Sequence, residues 1–590
     1  MASHDPHSYA DLEQAAIRHV TFDLRMDFGQ RQLAGTALYE LDRPVQGTLD
    51  LDTRDLTIVS AEASGRPLSP ELGSPDPIRG QRLRLKGLHG ASSFKLQFVT
   101  SPGANALQWL TPAQTAGGRQ PFLFTQCQPH HARSIFPCQD SPSVRFTYDA
   151  TLDVPSPLAA VMAAAPIGRE ESGGRRRFTF RMPQSIPSYL LAFAAGEIDS
   201  RDLSPRIRVY AEPETLDAAA WELAETEAML AEAEKLYGAY PWERYDMLVL
   251  PPSFPYGGME NPRLTFLTPT VVVGDRSLTN VIAHELAHSW TGNLVTNATW
   301  EDFWLNEGWT TYAERRILEA LEGEESAMLR AISGRLLMAR AMDRFGWDAD
   351  ATRLQFSQAG IDPEDVISHV AYEKGYSFLV RLERAVGRQA FDAFTHRYIA
   401  DHRFQSITTE AFVAFLRREL PQAARRVDLK SWLYEPGLPA DAPDFPTPLM
   451  DAVSSVLFDL QEGHPPTKDG VAQWNTTQIY LFLQYLPRHL SLKECRALED
   501  ALSLKTTPID LFLSQWLEIA IQSEYRDVLP VAEDLVGRVG RMLIILPVFR
   551  AIVQAEWSRP RARPLFERVR SGHHPITVRA MENLLALQGL

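Results

Sequence analysis

The stretches VIAHELAHSWTGN (residues 281–293) and FWLNEGWTTYAERRILEAL (residues 303–321) decide how this chain reads. His284 and His288 are four residues apart, so on a helix both imidazoles lie on one face and can reach a single metal ion. Glu307 follows nineteen residues after His288 and supplies a third ligand. Two nitrogens and one carboxylate oxygen suit a tetrahedral zinc that keeps its fourth position for water, the pattern of a catalytic site. Glu285 sits where a carboxylate can take a proton from a metal-bound water without binding the metal. The expectation is a zinc hydrolase with one Zn2+ per chain.

The surroundings favour this over a chance HExxH. Residues 278–292 read as a helix with apolar Val281, Ile282, Leu286, Ala287 and Trp290, capped by Asp275 or Ser277 and ended at Gly292. A second helix is predicted over 306–321, with Glu307 in its first turn and Gly323 beyond its end. Two helices joined by a short connection can pack antiparallel and bring the third ligand to the first pair.

At 590 residues the chain is too long for one core and should form three or four domains. Its 45% hydrophobic and 23% charged content is ordinary for a globular protein. A net charge of −15 argues against nucleic acid or an anionic membrane as the main partner. Three cysteines make no disulfide framework, the polar N-terminus carries no signal pattern, and no apolar stretch approaches a membrane span. A cytoplasmic monomer is expected.

The first 200 residues read as a large antiparallel sheet domain. Val20, Phe22, Leu24, Met26 and Phe28 alternate with polar residues, as do Leu83 and Leu85, Phe94, Leu96 and Phe98, and Phe178, Phe180 and Met182. From residue 201 to 435 helical periods dominate, beginning with an amphipathic helix over 217–237 and interrupted by a short strand at 247–250. Residues 436–449 are proline-rich, the composition of a semi-rigid linker. Residues 450–590 read as successive short helices.

Upstream of the metal helix, Tyr256-Gly257-Gly258-Met259-Glu260-Asn261 pairs glycines, which let a peptide backbone approach, with a carboxylate able to hold an ammonium group. Together with HELAH and Glu307, this tract makes the chain resemble the gluzincin aminopeptidases of peptidase family M1, most closely the leukotriene A4 hydrolase type. FTQCQPHHARSIFPCQDSPSV (124–144), PPSFPYGGMENPRLTFLTPT (251–270), WLNEGW (304–309) and VAYEKGYSFL (370–379) also carry the likeness, which returns faintly at RPLF (563–566). The resemblance implies a multidomain α+β protein: an N-terminal saddle-like antiparallel β-sheet domain, a thermolysin-like, mostly helical catalytic domain and a C-terminal α-helical superhelix.

Carried over by residue, the resemblance makes His284, His288 and Glu307 the zinc ligands and Glu285 the general base. Tyr372 becomes the donor to the oxyanion. Glu260 anchors the free amino terminus of a short peptide, with Gln128 or Gln126 helping, while Tyr256, Gly257, Gly258 and Met259 border the substrate. The family's basic pair for the peptide carboxylate falls on Ser558 and Pro560 without a gap. A one-residue deletion brings Arg559 and Arg561 there instead, which is the version preferred.

The bifunctional enzymes that also open a lipid epoxide have a second tyrosine five residues before the catalytic one and an aspartate eight before it. Those positions here are Ile367 and Glu364, which predicts peptide cleavage with little epoxide chemistry. An endopeptidase would share the ligands but is disfavoured by Glu260, and a silent binding scaffold has no need of the intact set. Glu314 reads equally as an orienter of a zinc-binding histidine or an exposed acid. His130, His131, His573 and His574 read as solvated or backbone-bonded histidines, and Cys127 and Cys138 as buried thiols.

Overall fold

The computed structural model describes residues 5–278 and 280–590; Thr279, within the predicted metal helix, lies outside them. The alternation at the N-terminus forms an eight-stranded sheet built on long strands such as Ile17–Asp27, Gln32–Val45, Ala91–Thr100, Arg145–Pro155 and Arg175–Pro187. Val20, Phe22, Leu24 and Met26 turn inward and are buried, while the residues between them face out. One pairing departs from the antiparallel expectation: Ile17–Asp27 runs parallel to Arg145–Pro155. The chain between them is long enough for a crossover, and it supplies two strands of a second, four-stranded sheet, Leu107–Leu110 and Phe122–Thr125.

A mixed five-stranded sheet opens the middle of the chain, in the order Asp199–Ser204, Ile207–Ala211, Met247–Val249, Thr265–Leu267, Gly258–Met259. Its first strand straddles the expected boundary at residue 200. The amphipathic segment expected as one helix over 217–237 is two, Pro213–Glu222 and Thr226–Tyr237. The buried Glu222 carboxylate accepts the amides of Gly274 and Arg276, each at 2.7 Å, and the chain bends there to bring it to them.

The metal helix spans Asn280–Ala287 and packs on the helix Trp304–Glu322, which opens two residues earlier than predicted. Asp275 accepts the Ser277 amide in the turn before Asn280.

The proline-rich segment is fastened to the catalytic domain along its length. Arg381 pairs with Asp441 at 2.7 Å, Arg384 donates to the Asp444 carbonyl at 2.9 Å, and Lys374 donates to the Glu435 carbonyl at 2.8 Å. Buried Phe445 stacks on Tyr376 between the guanidinium groups of Arg335 and Arg384. From Pro448–Gln461 to Pro575–Ala586 the chain is helical, around buried helices Asp510–Gln522 and Met542–Gln554; the latter continues through Pro547. This helical domain docks on the catalytic sheet region by two backbone bonds, Gly540 N–H to the Pro252 carbonyl at 2.7 Å and Met542 N–H to the Pro255 carbonyl at 2.9 Å. No helix among the described residues is long and apolar enough to cross a membrane.

Candidate active site

The predicted metal ligands converge. Nε2 of His284 lies 3.3 Å and Nε2 of His288 3.5 Å from the same Glu307 oxygen, Oε2. The other ring nitrogens are occupied: Nδ1 of His284 meets Glu314 at 3.0 Å, and Nδ1 of His288 meets the Thr291 carbonyl at 3.2 Å. Those acceptors place the ring protons on Nδ1, so both Nε2 lone pairs face the carboxylate. Glu307 Oε2 is buried and has no hydrogen-bond donor in bonding geometry. Three electron-pair donors aimed at one point repel one another unless a cation sits between them, and two nitrogens with one oxygen fit zinc. Glu314 is thus the orienter of His284, and the exposed-acid reading falls.

The electrostatics agree. Burial holds His288 down to about 4, a neutral imidazole at ordinary pH. Burial also opposes charge on His284, but Glu307 and Glu314 outweigh it and raise that pKa well above the usual value. The pocket demands a positive charge, which a metal ion in place of the ring proton satisfies. Burial pushes Glu285 up to about 8, with Glu307 and Glu314 adding to the rise. Glu260 is raised well above the carboxylate range by burial and then by Glu307 and Glu285. A metal cation draws both back down.

Around this centre the accessory residues take definite places. Gly258–Met259 is the edge strand of the five-stranded sheet, paired only with Thr265–Leu267, so its other edge can accept an extended peptide. A Cβ on Gly258 would lie 2.3 Å from Glu285 Oε1, and glycine alone lets the strand pass so close to that carboxylate. Of the two glutamines, Gln128 donates to Glu260 at 3.1 Å, whereas Gln126 turns to the Met259 sulfur at 3.4 Å. Tyr256 packs edge-on against Phe254 beside Gly257. Tyr372, in the π-helical turn Val370–Lys374, lies over His284 with ring centroids 6.0 Å apart. Burial, then the charges of Glu307 and Glu260, raise its pKa far above 10, so its hydroxyl stays protonated and able to donate.

Arg559 and Arg561 are not brought to the cleft. Arg559 donates to the carbonyls of Val553 and Gln554, and Arg561 pairs with Glu533 at 2.8 Å, all within the helical domain. The guanidinium that does arrive is Arg541, missed by the sequence reading. It lies 2.8 Å from where a side chain on Gly257 would begin, donates to Thr270, and is held down to about 10 by burial. Its only signal in sequence is a glycine before it and an apolar run after it, which reads as a buried helix.

The histidine pairs need a partial correction. His573 is bonded to the Val536 carbonyl at 2.8 Å and His574 accepts the Ile576 amide, as expected. His130 and His131 are instead buried against carboxylates, Asp362 at 3.6 Å and Glu364 at 2.7 Å. Those acids come from the capped first turn of the short helix Pro363–Val366, more than two hundred residues away and invisible to local pattern. Cys127 and Cys138 are buried free thiols.

Comparison with known proteins gives one consistent family. The peptidase family M1 domain matches residues 221–432, the peptidase M1 N-terminal domain residues 80–190, and the leukotriene A4 hydrolase C-terminal domain residues 474–585. The chain is 38% identical to leukotriene A-4 hydrolase of Xenopus laevis, covering 97% of this chain and 98% of that one. It is 37% identical to leucine aminopeptidase 2 of Neosartorya fischeri, covering 97% and 96%. The solved structure of yeast LTA4 hydrolase in complex with bestatin superposes with a TM-score of 0.92 at 32% identity, over 99% of this chain and 97% of that one.

Proposed function

The chain belongs to peptidase family M1, and from that premise and the site geometry we propose that it is a zinc aminopeptidase that removes the first residue of short peptides. The observation that carries this reading is the position of Glu260. Its carboxylate, steadied by Gln128, has an oxygen within 4.8 Å of ligand atoms of both Glu285 and His288. An ammonium group held there leaves room for a single residue before the reacting carbonyl, so cleavage counts from the amino end.

Zinc, held by His284, His288 and Glu307, supplies polarisation of the scissile carbonyl and an acidified water. Glu285 takes the proton of the attacking water and returns it to the leaving amine. The Tyr372 hydroxyl donates to the oxygen as it becomes negative, charge that exists only in the transition state. The free edge of Gly258–Met259 receives the extended substrate, and Arg541 faces its far end, where a guanidinium fork suits a carboxylate. The three free, buried thiols agree with a reducing cytoplasm.

A fluorogenic leucine amide tests the reading. Hydrolysis that stops with a chelator and returns with zinc, with no cleavage of the N-acetylated substrate, is the expected outcome; efficient cutting inside a blocked peptide points to an endopeptidase.

The near-full-length similarity to a protein named leukotriene A-4 hydrolase favours a second reading with added epoxide hydrolysis. Two features weigh against it: Ile367 has no hydroxyl, and the Glu364 carboxylate is engaged by His131 at 2.7 Å. Incubation with leukotriene A4 should give little of the specific dihydroxy product.

A further inference from the structure

Asn293 is a residue that the mechanism above does not employ, yet it touches both halves of the site. Its backbone N–H donates to the carbonyl of His288 at 3.0 Å, and its side-chain Nδ2 donates to the carbonyl of Glu260 at 2.6 Å. Glu260 lies just past the end of strand Gly258–Met259, so no sheet partner takes that carbonyl. Asn293 reaches it because Gly292 turns the chain back at φ +105°, where a Cβ would strike both His288 Nδ1 and Asn306 Oδ1 at 2.5 Å. The residue is itself fixed from behind: Arg145, half-buried in the N-terminal domain, donates one Nη2 to the carbonyls of Asn293 and Ser185, each at 2.8 Å. Asn293 is 1% exposed.

We propose that Asn293 is a positioning residue that sets the spacing between the amine anchor Glu260 and the metal ligand His288, and so the one-residue register of cleavage. The inference rests on the aminopeptidase reading, and it concerns a distance rather than a contact with substrate. The side chain needs to donate, because its partner is a carbonyl, and it needs to be short, because it bridges two main chains across the end of the metal helix. A buried acceptor left without its donor costs about a tenfold change in an equilibrium. That cost should fall on ligands that span both anchors and spare those that use the metal alone.

Two inhibitors with the same metal-binding group separate these cases: leucine hydroxamate, which carries the amine, and 4-methylpentanohydroxamate, which lacks it. In the wild-type enzyme the amine should make the first bind more tightly. Asn293→Ala should weaken leucine hydroxamate about tenfold or more and raise KM for leucine amide more than it lowers kcat, while the des-amino compound and the zinc content stay within about twofold. Asn293→Asp, the same size but without the donor, should behave like Ala and serves if the Ala variant does not fold. Equal weakening of both inhibitors, an unchanged leucine hydroxamate affinity, or loss of zinc from both variants overturns the proposal. Wild-type enzyme that gains nothing from the amine would instead overturn the aminopeptidase reading, and the two failures are therefore distinct.

Discussion

The two ends of the cleft are built by different means. At the amine end, Glu260 is held by Gln128 and Asn293 against the metal helix, by hydrogen bonds of 3.1 and 2.6 Å inside a continuous buried core. At the far end a single guanidinium, Arg541, is delivered by a separate helical domain through the backbone bonds of Gly540 and Met542. One end is set where the N-terminal and catalytic domains share a core, the other where the helical domain meets the catalytic one. The near end should therefore be insensitive to the helical domain, and the far end should carry the selectivity that depends on it.

The largest effect belongs to neither end. Glu285→Gln should retain zinc and lose turnover by about 10²–10⁴-fold, equally for a tripeptide acid and its C-terminal amide, because the proton acceptor serves both. Metal analysis beside kcat checks this; more than about a tenth of the activity remaining would falsify the general-base role. Glu260→Ala should lower kcat/KM by roughly 10–100-fold, again on both substrates, since both carry the free amine and a charge-assisted bond is lost. A loss confined to one substrate would break the division between the ends.

Glu314→Gln sharpens the comparison from the centre. The amide no longer bears the charge that pairs with the His284 ring proton, and zinc affinity should fall about 10–100-fold in a chelator competition while inhibitor selectivity at either end is kept. Unchanged affinity would return Glu314 to a structural part. The smallest expected effect tests the far end alone: Arg541→Ala should raise KM for the tripeptide acid about tenfold and leave its amide within about twofold. Arg559→Ala and Arg561→Ala should change neither, because their guanidinium groups are engaged inside the helical domain. Sensitivity of the acid to Arg561 in place of Arg541 would reverse this assignment.

What was legible in sequence followed local rules. Spacing of four residues on a helix put His284 and His288 on one face, alternation by two announced the buried faces of the long strands, and Glu314 was left open until its bond to His284 was seen. The paired glycines were read as room for a peptide backbone; what the fold adds is that Gly258 runs against the Glu285 carboxylate. Errors gathered where the partner lies far along the chain. The helix over 217–237 is broken where Glu222 serves amides more than fifty residues on, and His130 and His131 face carboxylates at the start of a distant short helix. The semi-rigid linker reading of the proline-rich stretch named no partner, and the aromatic and arginine surface that fastens it comes from elsewhere in the chain.

By itself the sequence brought forward a candidate chemistry: two histidines and a glutamate spaced to share a metal, with a carboxylate beside them placed as a general base. These follow from residue type and short spacing, because helix and strand periods convert a few residues of separation into a fixed side-chain geometry. Only the tertiary structure decided which of Gln126 and Gln128 reaches Glu260, which arginine faces the far end, and that Asn293 ties the anchor to the metal helix. Those choices depend on how separately folded segments pack, and no local period records the direction in which a side chain from one domain enters another.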